Sequence, residues 1–473
     1  MIEIKDIVMN RRLSISVFSA LLAMWAIPVL AEEAVVAAPE KLLDAIIQGK
    51  SMTNFRLRYE SVDQEAFQPA PNATQKLDSA HAFTLRSLIG WQTAPYKNFS
   101  FAAQLTDVHE FNHNFNDRRE NLSEPGKANY ANIVDPSFTD VNQLFVDWTG
   151  IKNTRVRLGR QQVNLDNVRF IGDIGFRQNM QVFDGVSVLN KSIPDTEIFV
   201  AHFDQVRQIN TELRQGDIEI VNAKYRISPS ESVVGYGYLV DVANLGQNNG
   251  NPLADSTAAQ GGNGLGASQD LVKTATTDAS SKTFGLRLDG VRAIDPTWKV
   301  LYTAEYAKQS DYKDGSELID AHYFKLGGGA MYNTWSVRID HEKLASNDGK
   351  YAFQTPLGTN HLFQGWADQF LATPRQGIED TFVTVAGSIG KAKLQAEYHV
   401  FKSDEKYQSL NGKFGDKYGT ELDLSVMYPF TDKISGKLEY AKFNESDIYG
   451  TTLQNAARKG DKEVVWVTGM YTF

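Results

Sequence analysis

Hydrophobic and polar residues alternate along many short segments of this chain. In the segment 54–60, Phe55, Leu57 and Tyr59 fall on one side, while Arg56, Arg58 and Glu60 fall on the other. The same period of two recurs at 154–158, 283–289, 298–306, 335–340 and 421–426. A period of two is the signature of β-strands, because successive side chains point to opposite faces. The chain is therefore predicted to be all-β.

Turn signals between these segments divide the chain into about 18 candidate strands. Their expected bounds are 51–62, 80–93, 98–110, 138–150, 154–165, 179–190, 194–206, 215–227, 231–243, 280–293, 298–308, 320–329, 333–344, 377–389, 392–403, 417–429, 433–444 and 461–473. An even count places both chain ends on the same side of a closed sheet.

Two kinds of protein produce such alternation: a soluble sheet with one covered face and a transmembrane β-barrel. No helical segments are available to cover the apolar face of strand after strand. Aromatic residues make up 11% of the chain, with 26 Phe and 19 Tyr, as expected for the aromatic girdles of a barrel. We therefore predict a single transmembrane antiparallel β-barrel of about 18 strands with a water-filled lumen.

The connections between the candidate strands differ in length. Short turns are expected at 94–97, 228–231, 295–297 and 429–432, and long polar loops near 111–137, 244–279, 345–376 and 445–460. Outer-membrane barrels have short periplasmic turns and long extracellular loops. We therefore expect the short turns to face the periplasm and the long loops to face the outside of the cell.

Both ends of the sequence agree with an outer-membrane location. Residues 464–473 alternate as a strand that stops on Phe473, which suits a closing strand with its aromatic end at the membrane interface. Arg11 and Arg12 precede an apolar stretch at 13–30, and Ala31 ends a cleavage pattern. Residues 1–31 are thus predicted to be a signal peptide and 32–473 the barrel. The alternatives are a retained membrane anchor and a final strand of a soluble sheet; the true start of translation is Met1 or Met9.

Charge and cysteine content exclude several classes. Residues 1–31 carry three basic and two acidic residues, so the formal charge of −9 becomes −10 after cleavage. An acidic chain lacks the basic footprint that nucleic acid requires. The chain has no Cys, so disulfides and thiolate metal sites are excluded.

Two motifs imitate enzymes. His109, Glu110 and His113 match H-E-x-x-H, but that zinc site needs both imidazoles on one helical face, and this segment continues a strand. The glycine-rich segment 262–267 imitates a dinucleotide loop without a buried strand before it or a helix after it. We predict no enzyme, no cofactor and no metal.

Alternation assigns charged residues to the lumen. The inward basic residues are Arg56, Arg58, Arg86, Arg155, Arg157, Lys224, Arg226, Arg287 and Arg338; the inward acidic ones are Glu60, Asp289, Glu305, Asp340, Glu397, Glu421, Asp423 and Glu439. Basic residues concentrate on early and middle strands and acidic ones on late strands. The lumen should have a basic and an acidic wall. These charges either select the solute or only form salt bridges.

The segment 353–374 is unusually aromatic for a solvated loop. It carries Phe353, Phe363, Trp366 and Phe370, together with Asp368, and Arg375 follows it. Such a loop is expected either to fold into the lumen as a constriction or to pack against neighbouring extracellular loops. Arg169 and Arg177 are further candidates for basic side chains carried by loops.

Several motifs resemble the alginate export family of bacterial outer-membrane porins. They are RLGRQQ at 157–162, RFIG at 169–172, FRQN at 176–179, FDGV at 183–186 and the segment 353–370. This resemblance implies a monomeric barrel with loops folded partly into the pore, and members that pass an anionic polysaccharide outward through a basic lumen. The lumen expected for this chain differs from that of such members, because one of its walls is acidic.

Four functions remain open from the sequence. They are a channel for hydrophilic, anionic solutes, an exporter of an anionic polysaccharide such as alginate, a barrel-embedded hydrolase, and a receptor or adhesin acting through its loops. The expected partners are outer-membrane lipid and lipopolysaccharide, the transported solute and the barrel assembly machinery of a Gram-negative bacterium. The channel explains the most features of the sequence.

The signal peptide gives a first prediction. The mature protein should begin at Glu32, because small residues at the end of the apolar stretch fit signal peptidase. Intact-mass spectrometry of purified outer-membrane material tests this directly. A mass that retains residues 13–30 would show an uncleaved anchor instead.

Overall fold

Eighteen antiparallel strands form one closed sheet. The computed structural model describes residues 39–65, 76–117, 127–242, 245, 278–408, 414–446 and 460–473. The strands are β1 (Asn54–Gln64), β2 (Ala80–Gln92), β3 (Phe99–Glu110), β4 (Phe138–Trp148), β5 (Thr154–Gln161), β6 (Val182–Asn190), β7 (Thr196–Arg207), β8 (Leu213–Ser228), β9 (Glu231–Asp241), β10 (Ser281–Ala293), β11 (Trp298–Asp311), β12 (Asp320–Tyr332), β13 (Trp335–Leu344), β14 (Ile378–Ile389), β15 (Ala392–Gln408), β16 (Phe414–Pro429), β17 (Ile434–Glu445) and β18 (Lys462–Thr472). The predicted fold class and strand number are confirmed.

Closure comes from the first and last strands. Each strand pairs with its sequence neighbour, and β1 pairs with β18 over the register Asn54↔Thr472 to Gln64↔Lys462. The two-residue strand Lys50–Ser51 adds to β2 at one rim, and Ser346–Asn347 pairs with Tyr351–Ala352 outside the barrel sheet. Because β1 and β18 pair, the barrel has no open sheet edge.

The two faces of the sheet differ as alternation requires. On β1, Arg56, Arg58 and Glu60 are buried, while Leu57 and Tyr59 are exposed. Large apolar side chains such as Leu286 and Ile339 are likewise exposed along the outer face. A continuous outer belt of this kind is unfavourable in water and favourable in lipid.

Connection lengths alternate between the two ends of the barrel. Turns of two to six residues occupy one end, from 93–98 to 430–433, and include all four predicted short turns. The other end carries the long connections, among them 111–137, 162–181 and 345–377. We call these the short-turn end and the long-loop end.

The connection 162–181 is longer than expected, because β5 ends at Gln161 and β6 begins at Val182 rather than near 165 and 179. Asp166, Val168 and Ile174 have positive φ angles of 54°, 58° and 52°. This backbone conformation is incompatible with a strand and is costly for β-branched side chains. Turn conformation therefore overrides the apolar alternation that continues past Gln161.

A short helix near the start of the described chain was not expected. Helix α1 (Leu42–Ile47) lies beside β2, where the Trp91 indole donates a hydrogen bond of 2.8 Å to the Ile46 carbonyl. Its Leu42, Leu43 and Ile47 side chains are exposed. Among the described residues, no helix has the length and apolar character needed to cross a membrane.

The terminal strand ends in an exposed aromatic pair. Phe473 is 67% exposed and packs edge-on against Tyr471, while Trp466 and Thr468 are buried on the opposite face. The predicted signal peptide at 1–31 and the glycine-rich segment 262–267 lie outside the described residues.

The orientation of the outer face gives a second prediction. Leu286→Arg in mid-β10 should destabilise the barrel folded in lipid vesicles by about 2–4 kcal/mol, because the cation would face the bilayer core. Urea titration of vesicle-embedded protein measures this change.

The matched control is Ile294→Arg in the turn after β10, where the native side chain is also exposed, at 66% against 60% for Leu286. Its cost near the interface should be only about 0–1 kcal/mol. Equal costs at the two positions would contradict the assigned lipid face.

Candidate functional site

Two long connections at the long-loop end pack against each other. They are the β5–β6 loop (162–181) and the β13–β14 loop (345–377). Backbone hydrogen bonds of 2.9 Å join Gly172 N–H to the Leu357 carbonyl and Thr359 N–H to the Val168 carbonyl. The Gln181 amide also donates to the Leu357 carbonyl at 2.9 Å. The two loops therefore form one unit, which we call the loop pair.

Inward-facing arginines of β1 bind the β5–β6 loop. Arg56 Nη1 donates to the Gly175 carbonyl and Arg58 Nη1 to the Phe176 carbonyl, each at 2.7 Å. Arg86 on β2 is also buried, and its Nη2 donates to Asn54 Oδ1 at 3.2 Å. The arginines of this basic cluster thus donate hydrogen bonds to backbone carbonyls of the loop. Those carbonyls would be costly to bury without donors.

Two further arginines, both on the loop itself, bridge to acidic side chains. Arg177 lies 3.0 Å from Glu60 Oε1 and 2.8 Å from Asp368 Oδ2. Arg169, only 1% exposed, lies 2.9 Å from Glu342 Oε1 on β13. Both arginines lie on a loop, as the sequence indicated, and each is paired there with a carboxylate.

The ionisation of the Arg177–Asp368 pair follows from its surroundings. Burial by itself would raise the pKa of Asp368, but His361 and Arg177 outweigh it and hold that pKa well below its usual range. Burial likewise opposes the charge of Arg177, yet Glu60, Asp135 and Asp368 together raise its pKa. Both groups therefore stay charged, and the pair persists across the physiological pH range.

Aromatic side chains of the β13–β14 loop are covered by the barrel wall and the β5–β6 loop. Phe353 packs on Phe170 and Tyr323, and Phe370 packs on Phe401, Tyr418 and Phe443. Phe363 lies below the Arg169 guanidinium and the Lys325 ammonium, at 4.6 and 5.6 Å. Trp366 is also buried. Arg375, at the end of the same loop, is half-buried, and this partial burial lowers the pKa of its guanidinium.

The acidic side chains of β16 bind the β13–β14 loop backbone. Glu421 Oε1 accepts a hydrogen bond of 2.6 Å from Ala367 N–H, and Asp423 Oδ2 accepts one of 3.3 Å from Trp366 N–H. Gly365 has a φ of 80°, and a Cβ there would lie 2.4 Å from Glu421 Cδ. The close approach of loop and wall thus requires glycine at this position.

Other predicted lumen residues pair along the wall. Arg157 binds Asp147 on the adjacent strand at 2.7 Å, Arg338 binds Asp340 on its own strand at 2.8 Å, and Arg287 pairs with Asp289 in the same way. Glu305 accepts a hydrogen bond from Tyr236 at 2.9 Å. Arg155 is half-buried, and Arg226 is exposed 3.7 Å from Glu197.

A cavity of about 320 Å³ lies between the loop pair and the short-turn end. Phe363 bounds it on one side, and Ser228 and Glu231, which flank a short turn, bound it on the other. Its charged lining residues are Lys224, Arg226, Arg287, Lys325, Arg338, Asp166, Glu231, Asp289, Asp340 and Glu397. The cavity is therefore lined by both signs of charge.

The H-E-x-x-H motif does not form a zinc site in this fold. Glu110 is buried on the inner face, where it lies 3.3 Å from the Lys127 ammonium, while His109 is exposed on the outer face. His113 approaches Glu110 at 3.1 Å from the loop beyond the strand. The two imidazoles therefore do not share the face that a metalloprotease needs.

Sequence reasoning missed the buried amides of the β5–β6 loop. Gln178 donates to Thr84 Oγ1 at 2.7 Å, and Asn179 donates to the Pro136 carbonyl at 2.8 Å. Their partners lie 43 to 94 residues away in sequence. The three amides at positions 178, 179 and 181 are a usable signal, because polar side chains clustered in a long loop need partners when they are buried.

Solved structures with the same fold are outer-membrane porin barrels. Pseudomonas aeruginosa OpdK with vanillate is 11% identical, and the match covers 89% of this chain and 97% of that one with a TM-score of 0.60. Acinetobacter baumannii OccAB2 is 11% identical over 91% and 99%, with a TM-score of 0.63. P. aeruginosa OccK9 is 11% identical over 90% and 98%, with a TM-score of 0.62.

The family-level comparison is more specific. A search of curated proteins finds no significant match. The family model described as alginate export matches residues 50–343, which is more than half of the chain and runs from the rim of β1 to the end of β13. This agrees with the resemblance carried by the motifs at 157–186. The chain, a porin-like outer-membrane β-barrel, therefore belongs to the alginate export family.

Proposed function

We propose that this protein is an outer-membrane channel for small hydrophilic anions, and that the loop pair constricts its lumen. The contacts between the loop pair and widely separated strands carry the proposal. We further propose that the barrel acts as a monomer in contact with lipopolysaccharide, after insertion by the barrel assembly machinery and removal of residues 1–31.

The contacts reach opposite parts of the wall. The β5–β6 loop binds β1 through Gly175 and Phe176, while its Phe170 packs on Tyr236 and Tyr238 of β9, eight strands away. The β13–β14 loop binds β16 through Trp366 and Ala367. Segments that touch inward-facing side chains on such distant strands must cross the lumen, so a solute has to pass beside them.

The constriction is fixed rather than mobile. Arg169 and Arg177 are held by buried carboxylates, and breaking such a pair leaves an uncompensated buried charge that costs about 3–5 kcal/mol. Val168 and Ile174 keep strained left-handed backbones, which persist only when the surrounding contacts over-determine them. A fixed narrow section acts as a size filter, which favours a small solute.

Charge on the cavity wall supports an anionic solute. Arg287 and Arg338 are neutralised by Asp289 and Asp340. Three cations remain on this wall, namely Lys224, Arg226 and Lys325, against three carboxylates, namely Asp166, Glu231 and Glu397. The carboxylates accept hydrogen bonds from neutral side chains, whereas the side chains of Lys224 and Arg226 are exposed. These two exposed cations are the groups on the wall that favour an anion, and their effect is modest because the lining carries equal numbers of both signs. Vanillate, the molecule in the OpdK structure, is a small carboxylate of this class.

Export of an anionic polysaccharide is the second candidate, because it gives the family its name. A polyanion would need a continuous basic path, whereas Glu397, Glu421 and Asp423 place acidic groups on the wall beside the β13–β14 loop. An exporter should be strongly anion-selective, and a small-solute channel only modestly so. The reversal potential in a salt gradient separates the two.

Removal of the constriction is the third prediction. Replacing residues 353–374 by a short Gly-Ser linker should raise single-channel conductance at least about twofold, since the aromatic obstruction is lost while the hydrogen-bonded barrel remains. Planar-bilayer recording measures this, and heat-modifiable migration verifies folding. Unchanged conductance of a folded variant would rule out the loop as the constriction.

Neutralising the cavity cations is the fourth prediction. Lys224→Gln with Arg226→Gln should lower the anion-to-cation permeability ratio by a factor of about two or more at low salt, where screening is weak. The control is Lys308→Gln, an exposed outer-face lysine 3.3 Å from Asp320. An equal effect of the control would contradict the assigned selectivity residues. Strong cation selectivity of the native channel would mean that the acidic wall controls permeation.

A further inference from the structure

We propose that Glu397, His399 and Asp423 bind a divalent transition-metal cation of the zinc type. The three residues lie on the inner face of adjacent strands, where Glu397 on β15 is the register partner of Asp423 on β16. All three are buried, and one donor atom of each lies within 4.8 Å of the other two. The site stands on this geometry and does not depend on the proposed transport function.

The spacing of the donor atoms matches a metal site. His399 Nε2 lies 3.4 Å from Glu397 Oε2 and 3.5 Å from Asp423 Oδ2. Two ligands bonded to Zn²⁺ at about 2.0–2.1 Å with a tetrahedral angle are separated by about 3.4 Å. The observed distances are too long for good hydrogen bonds and right for two ligands of one ion.

The surrounding residues orient the ligands. His399 Nδ1 lies 2.9 Å from Asp380 Oδ2, so a neutral imidazole that donates this hydrogen bond turns the lone pair of Nε2 towards the two carboxylates. Glu397 Oε1 accepts hydrogen bonds from Thr384 and Gln395 at 2.9 and 3.0 Å, which leaves Oε2 for the ion. This carboxylate–histidine arrangement is the usual support of a metal-bound imidazole.

A buried nitrogen without a partner supports the same site. Within the described residues, His399 Nε2 is buried without a hydrogen-bond partner, and it faces the Glu397 and Asp423 carboxylates. Four carboxylates, those of Asp380, Glu397, Glu421 and Asp423, are gathered around one imidazole. With all four carboxylates ionised, even a protonated imidazole would leave surplus negative charge in a buried site, and that charge is costly unless a bound cation or an added proton balances it.

The donor set selects the class of ion. One imidazole nitrogen with two carboxylate oxygens is a three-ligand set that leaves a fourth position open, as in zinc sites with an exchangeable ligand. Ca²⁺ and Mg²⁺ prefer oxygen ligands alone. Because Asp423 Oδ2 also accepts the Trp366 N–H bond, an ion here would sit directly against the β13–β14 loop.

Metal content tests the proposal on the full mature protein in detergent. After EDTA treatment and dialysis against Zn²⁺, the native barrel should hold about one zinc per chain by elemental mass spectrometry. His399→Gln and Asp423→Asn should each weaken zinc binding at least about tenfold. The control His202→Gln removes an exposed imidazole 2.7 Å from Glu219 on the outer face and should leave zinc content unchanged.

A second measurement avoids dependence on the variants. Co²⁺ bound to the native protein should give the intense visible absorption of a tetrahedral site, and Zn²⁺ should abolish it. Absence of bound zinc and of the cobalt spectrum would overturn the proposal, as would equal zinc content in a folded His399→Gln variant. Conductance of the EDTA-treated barrel reports on the channel separately, so failure of one proposal is distinguishable from failure of the other.

Discussion

Every backbone polar group inside a bilayer must find a partner within the protein, and the pairing of β1 with β18 is the contact that meets this constraint here. Without it, two long edges would expose unpaired N–H and C=O groups to lipid. Closure also fixes the register, and a shift by one residue would turn the β1 arginines to lipid and Leu57 to the lumen. The positions of all lumen side chains therefore depend on this one seam.

A closed barrel of this size creates a second problem, because its interior is too wide for wall side chains to fill. The chain meets it with two loops whose backbones are bound by charged wall residues. Arg56 and Arg58 donate to carbonyls of the β5–β6 loop, while Glu421 and Asp423 accept from N–H groups of the β13–β14 loop. The basic and acidic walls thus hold complementary backbone groups, in addition to any effect on a passing ion.

The fold was predictable because lipid and water impose the period of two directly on the sequence. All 18 strands appear where alternation placed them, with most bounds within a few residues. The failures occur where alternation carries no information. Past Gln161 the apolar pattern continues although the backbone turns. The ion pair between Arg169 and Glu342 joins a loop residue to a strand residue far away in sequence.

The fate of the loop arginines shows why charge counted along a sequence does not give the field of a lumen. Arg169 and Arg177 carry the same formal charge as Lys224 and Lys325, yet each is buried against a carboxylate that only the folded chain brings near. The residues that remain unbalanced are set by tertiary contacts rather than by strand order. In the proposed channel, selectivity would therefore depend on which charges the loop pair neutralises, and the two loops would set both the width of the pore and the sign of its remaining charge.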